Sequence, residues 1–161
     1  VVALGWDKAT QDGVFTGDFE DINKGLTTAQ AFIDQGADVI LPVAGQVGEG
    51  AARAALDSGT ASIIWVDSDG YDTLSPDFRP VLLTSVLKNT GSAVVEIVKT
   101  SIDDTFDNAP FIGTLENGGV GIAPFHDLAP RVSAELSAEI DQLRSDIVAG
   151  TIVVTSPSTP R

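Results

Sequence analysis

The sequence predicts an α/β fold in which helices flank a parallel sheet, and three observations support this. Apolar residues recur at helical spacing in several segments that end near a glycine. Short, continuously apolar runs follow these segments, as is typical of parallel strands that are covered on both faces. The 161 residues, of which 43% are hydrophobic and 20% charged, match one globular domain in length and composition.

The first elements in chain order are a strand, a loop and a helix. Residues 1–6 form a short apolar run that predicts a strand, and the polar, glycine-containing residues 7–21 predict a loop. From Ile22 onward apolar residues fall at helical spacing, and Gly36 stands where a helix cap is common. The spacing therefore predicts a helix that ends at Gln35.

The same order then repeats. The continuous apolar run 38–43 predicts a strand covered on both faces. The glycine-rich residues 45–50 predict a turn, and the alanine-rich residues 51–57 predict a helix. Residues 62–66 predict the next strand, which an acidic turn follows. This alternation of strand and helix predicts a parallel sheet.

After residue 102 the composition changes, and residues typical of a β-hairpin occur. The elements predicted for the second half are a strand at 81–85, a helix at 92–102, a hairpin of 111–115 with 120–123, a helix from Pro130 to Gly150, a strand at 151–154 and a tail at 156–161. Asn117, Gly118 and Gly119 are typical residues of a tight hairpin turn.

Charge and composition exclude several classes of protein. Lys and Arg number 9 against 23 Asp and Glu, so the net charge of −14 has the wrong sign for binding a nucleic acid. Because the chain has no cysteine, disulfides, thiolate metal sites and cysteine nucleophiles are excluded. The longest apolar runs are far shorter than the roughly 20 residues of a membrane span. The chain begins at Val1 without Met, so we expect a processed protein or a fragment.

Glycines at positions 45, 48 and 50, between a predicted strand and a predicted helix, outline a dinucleotide site, with Asp67 as the ribose-binding acid. The spacing G-x-x-G-x-G differs from G-x-G-x-x-G, and Glu49 would place negative charge beside a phosphate. A turn that shapes a different ligand pocket is therefore favoured. A Rossmann-like nucleotide-binding enzyme domain stays open as an alternative.

The acidic turn after the predicted strand 62–66 is a second candidate site. Asp67 and Asp69 resemble the start of a calcium loop, but the twelfth position is Phe78 rather than Glu. Carboxylates at the carboxyl edge of a parallel sheet can instead accept hydrogen bonds from the hydroxyl groups of a neutral ligand. We therefore predict Asp67 and Asp69 as ligand-binding residues, without a metal or a cofactor.

Four further side chains are candidates for chemistry. Ser85 and Lys88 match the S-x-x-K pattern of penicillin-recognising enzymes, but the S-D-N and K-T-G elements are missing, so Lys88 is better explained as a donor to a polar ligand. His126, the single histidine, precedes a predicted helix, where a solvated or capping role is commoner than catalysis. Phe19, in a polar context, suits stacking on an aromatic ligand. We predict that the chain is not an enzyme.

Five segments of the chain match one protein family in order and spacing. They are residues 17–25, 36–50, 66–69, 83–88 and 113–121. On these segments the chain resembles the basic membrane lipoprotein or purine nucleoside receptor (PnrA-like) family of ABC-transporter substrate-binding proteins. Members of this family have two α/β lobes, and the chain is similar only to their second half.

The resemblance implies a type I periplasmic-binding-protein-like fold and a nucleoside site. Phe19 would stack on the base, Gly45 and Asp67 would contact the ribose, and Lys88 would lie near the sugar. Relatives often have Gln after the second Asp, where this sequence has Gly70, and paired glycines where it has a single Gly45. These departures leave the exact ligand open.

The resemblance also implies a domain organisation and partners. The predicted divisions are second-lobe α/β units at 1–84, a segment at 85–112 that packs with the missing first lobe, a hairpin, helix and strand at 113–155 that return to the second lobe, and a tail at 156–161. The implied partners are ABC permease and ATPase subunits and the missing N-terminal lobe, in an extracytoplasmic, lipid-anchored full-length protein.

An isolated second half would leave apolar surface exposed where the first lobe belongs. We therefore expect the chain to form a homodimer or to swap elements with a second copy. A sensory binding domain that shares the fold but drives no transport is the second alternative to the transport function.

Overall fold

The computed structural model describes residues 2–7 and 9–155. A small antiparallel ribbon of β1 (Trp6–Asp7) and β2 (Asp12–Gly13) precedes the main sheet. The main sheet has the strand order β3 (Val39–Ile40), β4 (Ser62–Asp67), β5 (Leu82–Lys88) and β6 (Val120–Ile122). β3 pairs with β4, and β4 with β5, in parallel. The predicted α/β class with a mostly parallel sheet is confirmed.

Helices connect these strands. The α-helices within the described residues are α1 (Ile22–Asp34), α2 (Val47–Ser58), α3 (Gly70–Thr73), α4 (Thr90–Ile102) and α5 (Ala134–Val148), and 3₁₀ helices span Pro76–Val81 and His126–Arg131. No helix among residues 2–7 and 9–155 is both long and apolar enough to cross a membrane.

Short polar side chains and glycines set the helix ends that the sequence predicts. Asp21 caps α1, because its carboxylate accepts a hydrogen bond from Asn23 N at 3.0 Å. Gln35 caps the other end, and Gly36 follows with a φ of +94°. Gly59 ends α2 with a φ of +64°, a conformation that glycine adopts without steric cost.

α2 begins at Val47, so the turn predicted for 45–50 is wrong from residue 47 onward. Gly50 in α2 and Gly25 in α1 allow close packing between these two helices. A Cβ atom on Gly50 would lie 1.9 Å from the carbonyl oxygen of Ile22, and a Cβ on Gly25 would lie 1.9 Å from that of Val47. Only glycine therefore allows the two helices to approach this closely.

The hydrophobic core lies between α2, α1 and the strands β4 and β5. Its fully buried members include Ala52, Ala55 and Ile63. Alanines dominate the buried side of α2, and the larger side chains come from the sheet. Small residues on the helix let it lie close to the sheet, which is how a short helix buries most of its surface.

The chain divides into two compact units. The first comprises Val1–Leu87 and Ile122–Ala129, and the second comprises Lys88–Gly121 and Pro130–Arg161. All members of the hydrophobic core belong to the first unit.

Several predicted strands differ from the structure. Of the strand predicted at 1–6, only Trp6 is paired, and Val1 lies outside the described residues. The strand predicted at 38–43 is limited to Val39–Ile40, and it is not covered on both faces, because Val39, Leu41 and Val43 are exposed. The sequence pattern records apolar character but cannot tell whether another element covers it.

The predicted hairpin and the last predicted strand are also wrong. Residues 111–114 are not a strand, because Thr114 and Asn117 bond to each other and close a turn: Thr114 N donates to Asn117 Oδ1 at 2.8 Å, and Asn117 N donates to Thr114 Oγ1 at 3.1 Å. Residues 151–154 are exposed and do not form a strand. The helix predicted from Pro130 begins at Ala134 with Ser133 as its cap. The tail at 156–161 lies outside the described residues.

Candidate functional site

The carboxyl end of β4 carries the acidic turn predicted as a site. β4 ends at Asp67, which has a φ of +70° and an exposed side chain. Ser68 N donates to the Val66 carbonyl at 2.9 Å and closes the turn. In α/β folds ligands bind at the carboxyl ends of the strands, so Asp67 stands where a ligand group would be placed.

Asp69, the second acid of this turn, is engaged inside the protein. One carboxylate oxygen accepts a hydrogen bond from Tyr71 N at 3.1 Å, which caps α3. The other lies 2.7 Å from His126 Nε2. Both oxygens of Asp69 therefore have partners within the first unit, unlike the arrangement expected for a carboxylate that faces a ligand.

Tyr71 is the centre of a cluster that the sequence did not predict. Its ring stacks on His126 with ring centroids 4.1 Å apart, and the guanidinium carbon of Arg79 lies 4.3 Å from the same ring centroid. Its hydroxyl donates to Asp127 at 3.0 Å. The hydrogen bond to Asp127 raises the pKa of Tyr71 above its ordinary value, because it stabilises the protonated phenol.

Phe19 and Gly45, which the sequence places far apart, are neighbours. A Cβ atom on Gly45 would lie 3.5 Å from the Phe19 carbonyl oxygen, and Gly45 has a φ of +57°. Val47 N donates to the same carbonyl at 3.4 Å. The Phe19 side chain is 69% exposed. An aromatic ring left in solvent beside a glycine backbone is a surface on which a flat ligand can stack.

The loop that carries Phe19 is fixed by its neighbour Asp18. The Asp18 carboxylate accepts hydrogen bonds from Glu20 N at 3.0 Å and from Asp21 N at 2.8 Å, and it pairs with Lys24. The Lys24 ammonium, together with these two amides, lowers the pKa of Asp18 to about 2. Asp18 therefore stays ionised and holds the loop at neutral pH.

An apolar cavity of about 670 Å³ lies beside Phe19. Three parts of the chain line the cavity: the β1–β2 ribbon with Trp6, α1 with Phe32, and β3 together with the residues that follow it, among them Val43. Asp67, Asp69 and Lys88 do not line it. Phe19 is thus the single predicted site residue that borders this cavity.

Lys88 is the last residue of β5 and belongs to the second unit. Its side chain is exposed and takes part in an interaction. The next residue, Asn89, is anchored to the 118–119 turn: its amide nitrogen donates to Gly119 O at 2.9 Å and its side chain donates to Gly118 O at 2.5 Å. This anchors the backbone beside Lys88.

The glycine-rich residues do not form an open phosphate cradle. A Cβ on Gly48 would lie 2.8 Å from the Trp65 ring, and the Gly50 backbone packs on α1, so both glycines face protein. Within residues 2–7 and 9–155, no group of three or more His, Cys, Asp or Glu side chains is placed to hold a metal ion.

The Bmp family, described as ABC transporter substrate-binding protein PnrA-like, matches residues 11–158. The chain belongs to this family. This match confirms the family resemblance that the five sequence segments indicate.

Curated relatives agree with the family match. The chain is 32% identical over 146 residues to basic membrane protein A of Borreliella burgdorferi, covering 88% of this chain and 41% of that protein. It is 31% identical over 144 residues to basic membrane protein A1 of Borrelia garinii subsp. bavariensis, covering 87% of this chain and 40% of that protein. The chain thus spans about two fifths of the length of these Bmp relatives.

Solved structures share the fold. An ABC transporter solute-binding protein from Aeropyrum pernix K1 has a TM-score of 0.73 at 22% identity, over 90% of this chain and 47% of that one. One from Conexibacter woesei has a TM-score of 0.70 at 20% identity, over 88% and 45%. A transcriptional activator of the comK gene from Bacillus halodurans has a TM-score of 0.70 at 19% identity, over 86% and 46%.

Proposed function

We propose that the chain is the ligand-binding second half of the receptor component of an ABC importer, and that its ligand is a purine nucleoside or a closely similar molecule. The observation that supports this most directly is Phe19. Its ring is solvent-exposed, yet its loop is fixed by the Asp18–Lys24 pair and by the bond from Val47 N. A fixed, exposed ring suits stacking on a base, because little ordering entropy is lost on binding.

The remaining proposed contacts suit a neutral, hydroxyl-rich ligand. Asp67 would accept hydrogen bonds from ribose hydroxyls, the Gly45 backbone would allow close approach, and Lys88 would donate to a polar group of the ligand. Asp69, the fifth residue expected from the sequence, has both oxygens engaged within the protein. This set contains no nucleophile paired with a base, so the proposed function is binding and delivery rather than catalysis.

In this proposal the partners are the permease and ATPase subunits of the transporter and the N-terminal lobe of the same protein. The full-length receptor would be extracytoplasmic and anchored to the cell membrane by a lipid. Ligand would be held between two lobes that close over it, and the transporter would distinguish the closed state from the open one.

The exposed apolar surface of the first unit supports a further part of this proposal. β3 is an edge strand, Val39, Leu41 and Val43 are exposed, and Leu41 and Val43 line the apolar cavity. An uncovered edge strand with apolar side chains favours pairing with another chain. A chain of these 161 residues would therefore form a homodimer or swap elements, which light scattering at high protein concentration tests; a monomer at all concentrations would contradict it.

A sensory role without transport is the second candidate. The similar fold of the Bacillus halodurans protein, which is described as a transcriptional activator, supports it. Genes for a permease and an ATPase adjacent to the gene for this chain would favour transport, and their absence would favour sensing.

The nucleoside proposal is tested by titrating the chain with adenosine, guanosine and inosine. NMR monitors the titration, because a chain that contributes only one side of a two-lobe site should bind weakly. We expect millimolar or tighter binding of at least one nucleoside. Phe19→Ala should weaken binding at least about fivefold, since stacking on one base contributes about 1–3 kcal/mol. The matched control is Phe106→Ala, another exposed phenylalanine that does not line the cavity beside Phe19, and it should leave the affinity unchanged.

NAD⁺ serves as the ligand control. The transport proposal expects little affinity for any dinucleotide, whereas a Rossmann-like enzyme would bind NAD⁺ more tightly than any nucleoside. Absence of binding to all three nucleosides, or equal affinities of the Phe19→Ala and parent chains, would overturn the nucleoside assignment.

A further inference from the structure

The cluster around Tyr71 in the first unit has a geometry that the proposed ligand contacts do not require. His126 and Arg79 both lie about 4 Å from the centre of the Tyr71 ring, at 4.1 Å and 4.3 Å. The Tyr71 ring therefore packs against both an imidazole and a guanidinium.

Hydrogen bonds connect the residues at the edge of this cluster. The Asp69 carboxylate lies 2.7 Å from His126 Nε2, and the Tyr71 hydroxyl donates to Asp127 at 3.0 Å. Arg79 Nε donates to the Tyr71 carbonyl at 3.2 Å. Two consecutive residues, 126 and 127, are thus bonded to two residues more than fifty positions earlier in the chain.

The backbone of His126 is held in an unfavourable conformation. Its φ is +42°, in the left-handed region that residues with a side chain rarely adopt. Such a conformation persists only where surrounding contacts fix it, and it occurs often at functional sites. The ring stack and the bond to Asp69 are the contacts that fix it.

The same stretch of chain is anchored at its other end. Ala123 is buried, its amide donates to Ser85 O at 2.9 Å, and its carbonyl accepts from Thr84 Oγ1 at 2.6 Å. Ser85 in turn accepts a hydrogen bond from Gly70 N at 3.0 Å. The eight residues Ile122–Ala129 are the single stretch beyond residue 87 that belongs to the first unit, and both of their ends continue into the second unit.

We propose that Asp69, Tyr71, His126 and Asp127 form a clasp that fastens residues 122–129 to the first unit and sets the shape of the 67–69 turn. In this assignment Asp69 is a positioning residue, and Asp67 alone supplies the carboxylate that faces the ligand. The fastening itself is independent of any ligand, whereas the division of roles between the two acids rests on the proposed function.

Hydrogen–deuterium exchange of the 161-residue chain tests the fastening. Tyr71→Ala and His126→Ala should each increase amide exchange at 124–129 about tenfold or more, while exchange in α2 stays unchanged, because α2 opens only with the core. Tyr71→Phe, which keeps the stack and loses one hydrogen bond, should give a smaller increase. Asp77→Asn, an exposed acid in the neighbouring 3₁₀ helix, is the matched control and should change nothing.

A double variant provides a second test in case a single alanine substitution increases amide exchange outside residues 124–129 as well. Tyr71→Phe and Asp127→Ala remove the same hydrogen bond, so combining them should increase exchange at 124–129 no more than the larger single effect. Additive increases, or exchange at 124–129 within about twofold of the parent in both alanine variants at Tyr71 and His126, would overturn the clasp.

Nucleoside titration tests the division of roles. Asp69→Asn retains an oxygen for Tyr71 N and a polar group toward His126, so it should bind the preferred nucleoside within about threefold of the parent, whereas Asp69→Ala and Asp67→Asn should each weaken binding about tenfold. Equal weakening by Asp69→Asn and Asp67→Asn, with normal exchange at 124–129, would overturn the positioning assignment. If the parent chain binds no nucleoside, the proposed function fails, and the exchange measurement still decides whether the clasp exists.

Discussion

Helices α2 and α4 are almost equal in length, and both carry an apolar stripe, yet their surroundings differ. Seven residues of α2 are buried, among them Val47, Ala52 and Ala55, whereas no residue of α4 is buried. The apolar residues of α4 are larger: Val94, Val98 and Ile102 are all more than half exposed. α2 lies in the first unit and α4 in the second.

The comparison separates the signal that forms a helix from the packing that stabilises it. Both apolar stripes predict a helix correctly, because the 3.6-residue period is a property of the sequence. Among the described residues of the second unit only Gly119 is buried, so its helices have no core of their own. Exposed apolar surface is typical of surfaces that contact another part of a protein or a partner, and the chain spans about two fifths of the length of its Bmp relatives.

The largest difference between the units should come from matched isoleucine truncations. Ile63 in β4 is fully buried and Ile97 in α4 is 44% exposed. Ile63→Ala should lower the free energy of unfolding by about 2–5 kcal/mol, because it removes buried surface and leaves a cavity. Ile97→Ala should cost less than about 1 kcal/mol. Urea denaturation monitored by tryptophan fluorescence and circular dichroism measures both costs. Equal costs would mean that α4 is covered in solution.

Matched glycine-to-alanine substitutions should change the free energy of unfolding in opposite directions in the two units. Gly50→Ala would push a methyl group against the backbone of α1, so we expect a loss of about 1–3 kcal/mol or more in unfolding free energy. Gly91→Ala, at a position in α4 where a Cβ meets no atom within 4 Å, should stabilise its helix by about 0.5–1 kcal/mol. Thermal denaturation by circular dichroism distinguishes the two; a destabilising Gly91→Ala would show that a partner covers this face.

Loss of a helix cap should act globally in the first unit and locally in the second. Asp21 caps α1, and Ser133 caps α5 by accepting from Leu136 N at 3.1 Å. Each substitution by alanine should cost about 1 kcal/mol of helix stability. We expect Asp21→Ala to shift the urea midpoint of the whole first unit and Ser133→Ala to speed amide exchange in α5 alone. A shifted midpoint in the Ser133→Ala variant would indicate that the units unfold together.

The smallest effect is the pH dependence of the loop that carries Phe19. The pKa of Asp18 falls from 3.8 to about 2 through Lys24 and two backbone amides. A lowered pKa stabilises the folded state fully above pH 3.8, and that contribution is lost as the pH falls through about 2. Lys24→Met should therefore raise the pKa of Asp18, as measured by NMR titration of its carboxyl carbon. An unchanged pKa would show that the amides alone hold the loop.

The helical part of the fold could be predicted from the sequence more reliably than the strands. The C-terminal ends of α1 and α2 and the position of α4 follow from local periodicity and from Gly36 and Gly59. The strands predicted at 111–115 and 151–154 are absent, because apolar composition there has no partner strand within the described residues. A strand requires hydrogen bonds to a neighbour, and that neighbour is a tertiary property.

The candidate site divides in the same way. Phe19 and Asp67 were predicted from residue type and position, and the structure places both at the surface of the first unit. The bonding of Asp69 to His126 could not be predicted, because 57 residues separate them. Tyr71 and Arg79 gave no signal in the sequence, since an isolated tyrosine or arginine in a loop is compatible with many roles.

The sequence alone determined the α/β class, the C-terminal ends of α1 and α2, the acidic charge and the family of this chain, since periodicity, glycine caps and motif spacing are encoded locally. Tertiary structure decided which apolar stripes are buried, which glycines serve close packing and which acid of the 67–69 turn is engaged by a histidine. These properties depend on contacts between residues distant in the chain, and such contacts exist only once the loops that join them have closed.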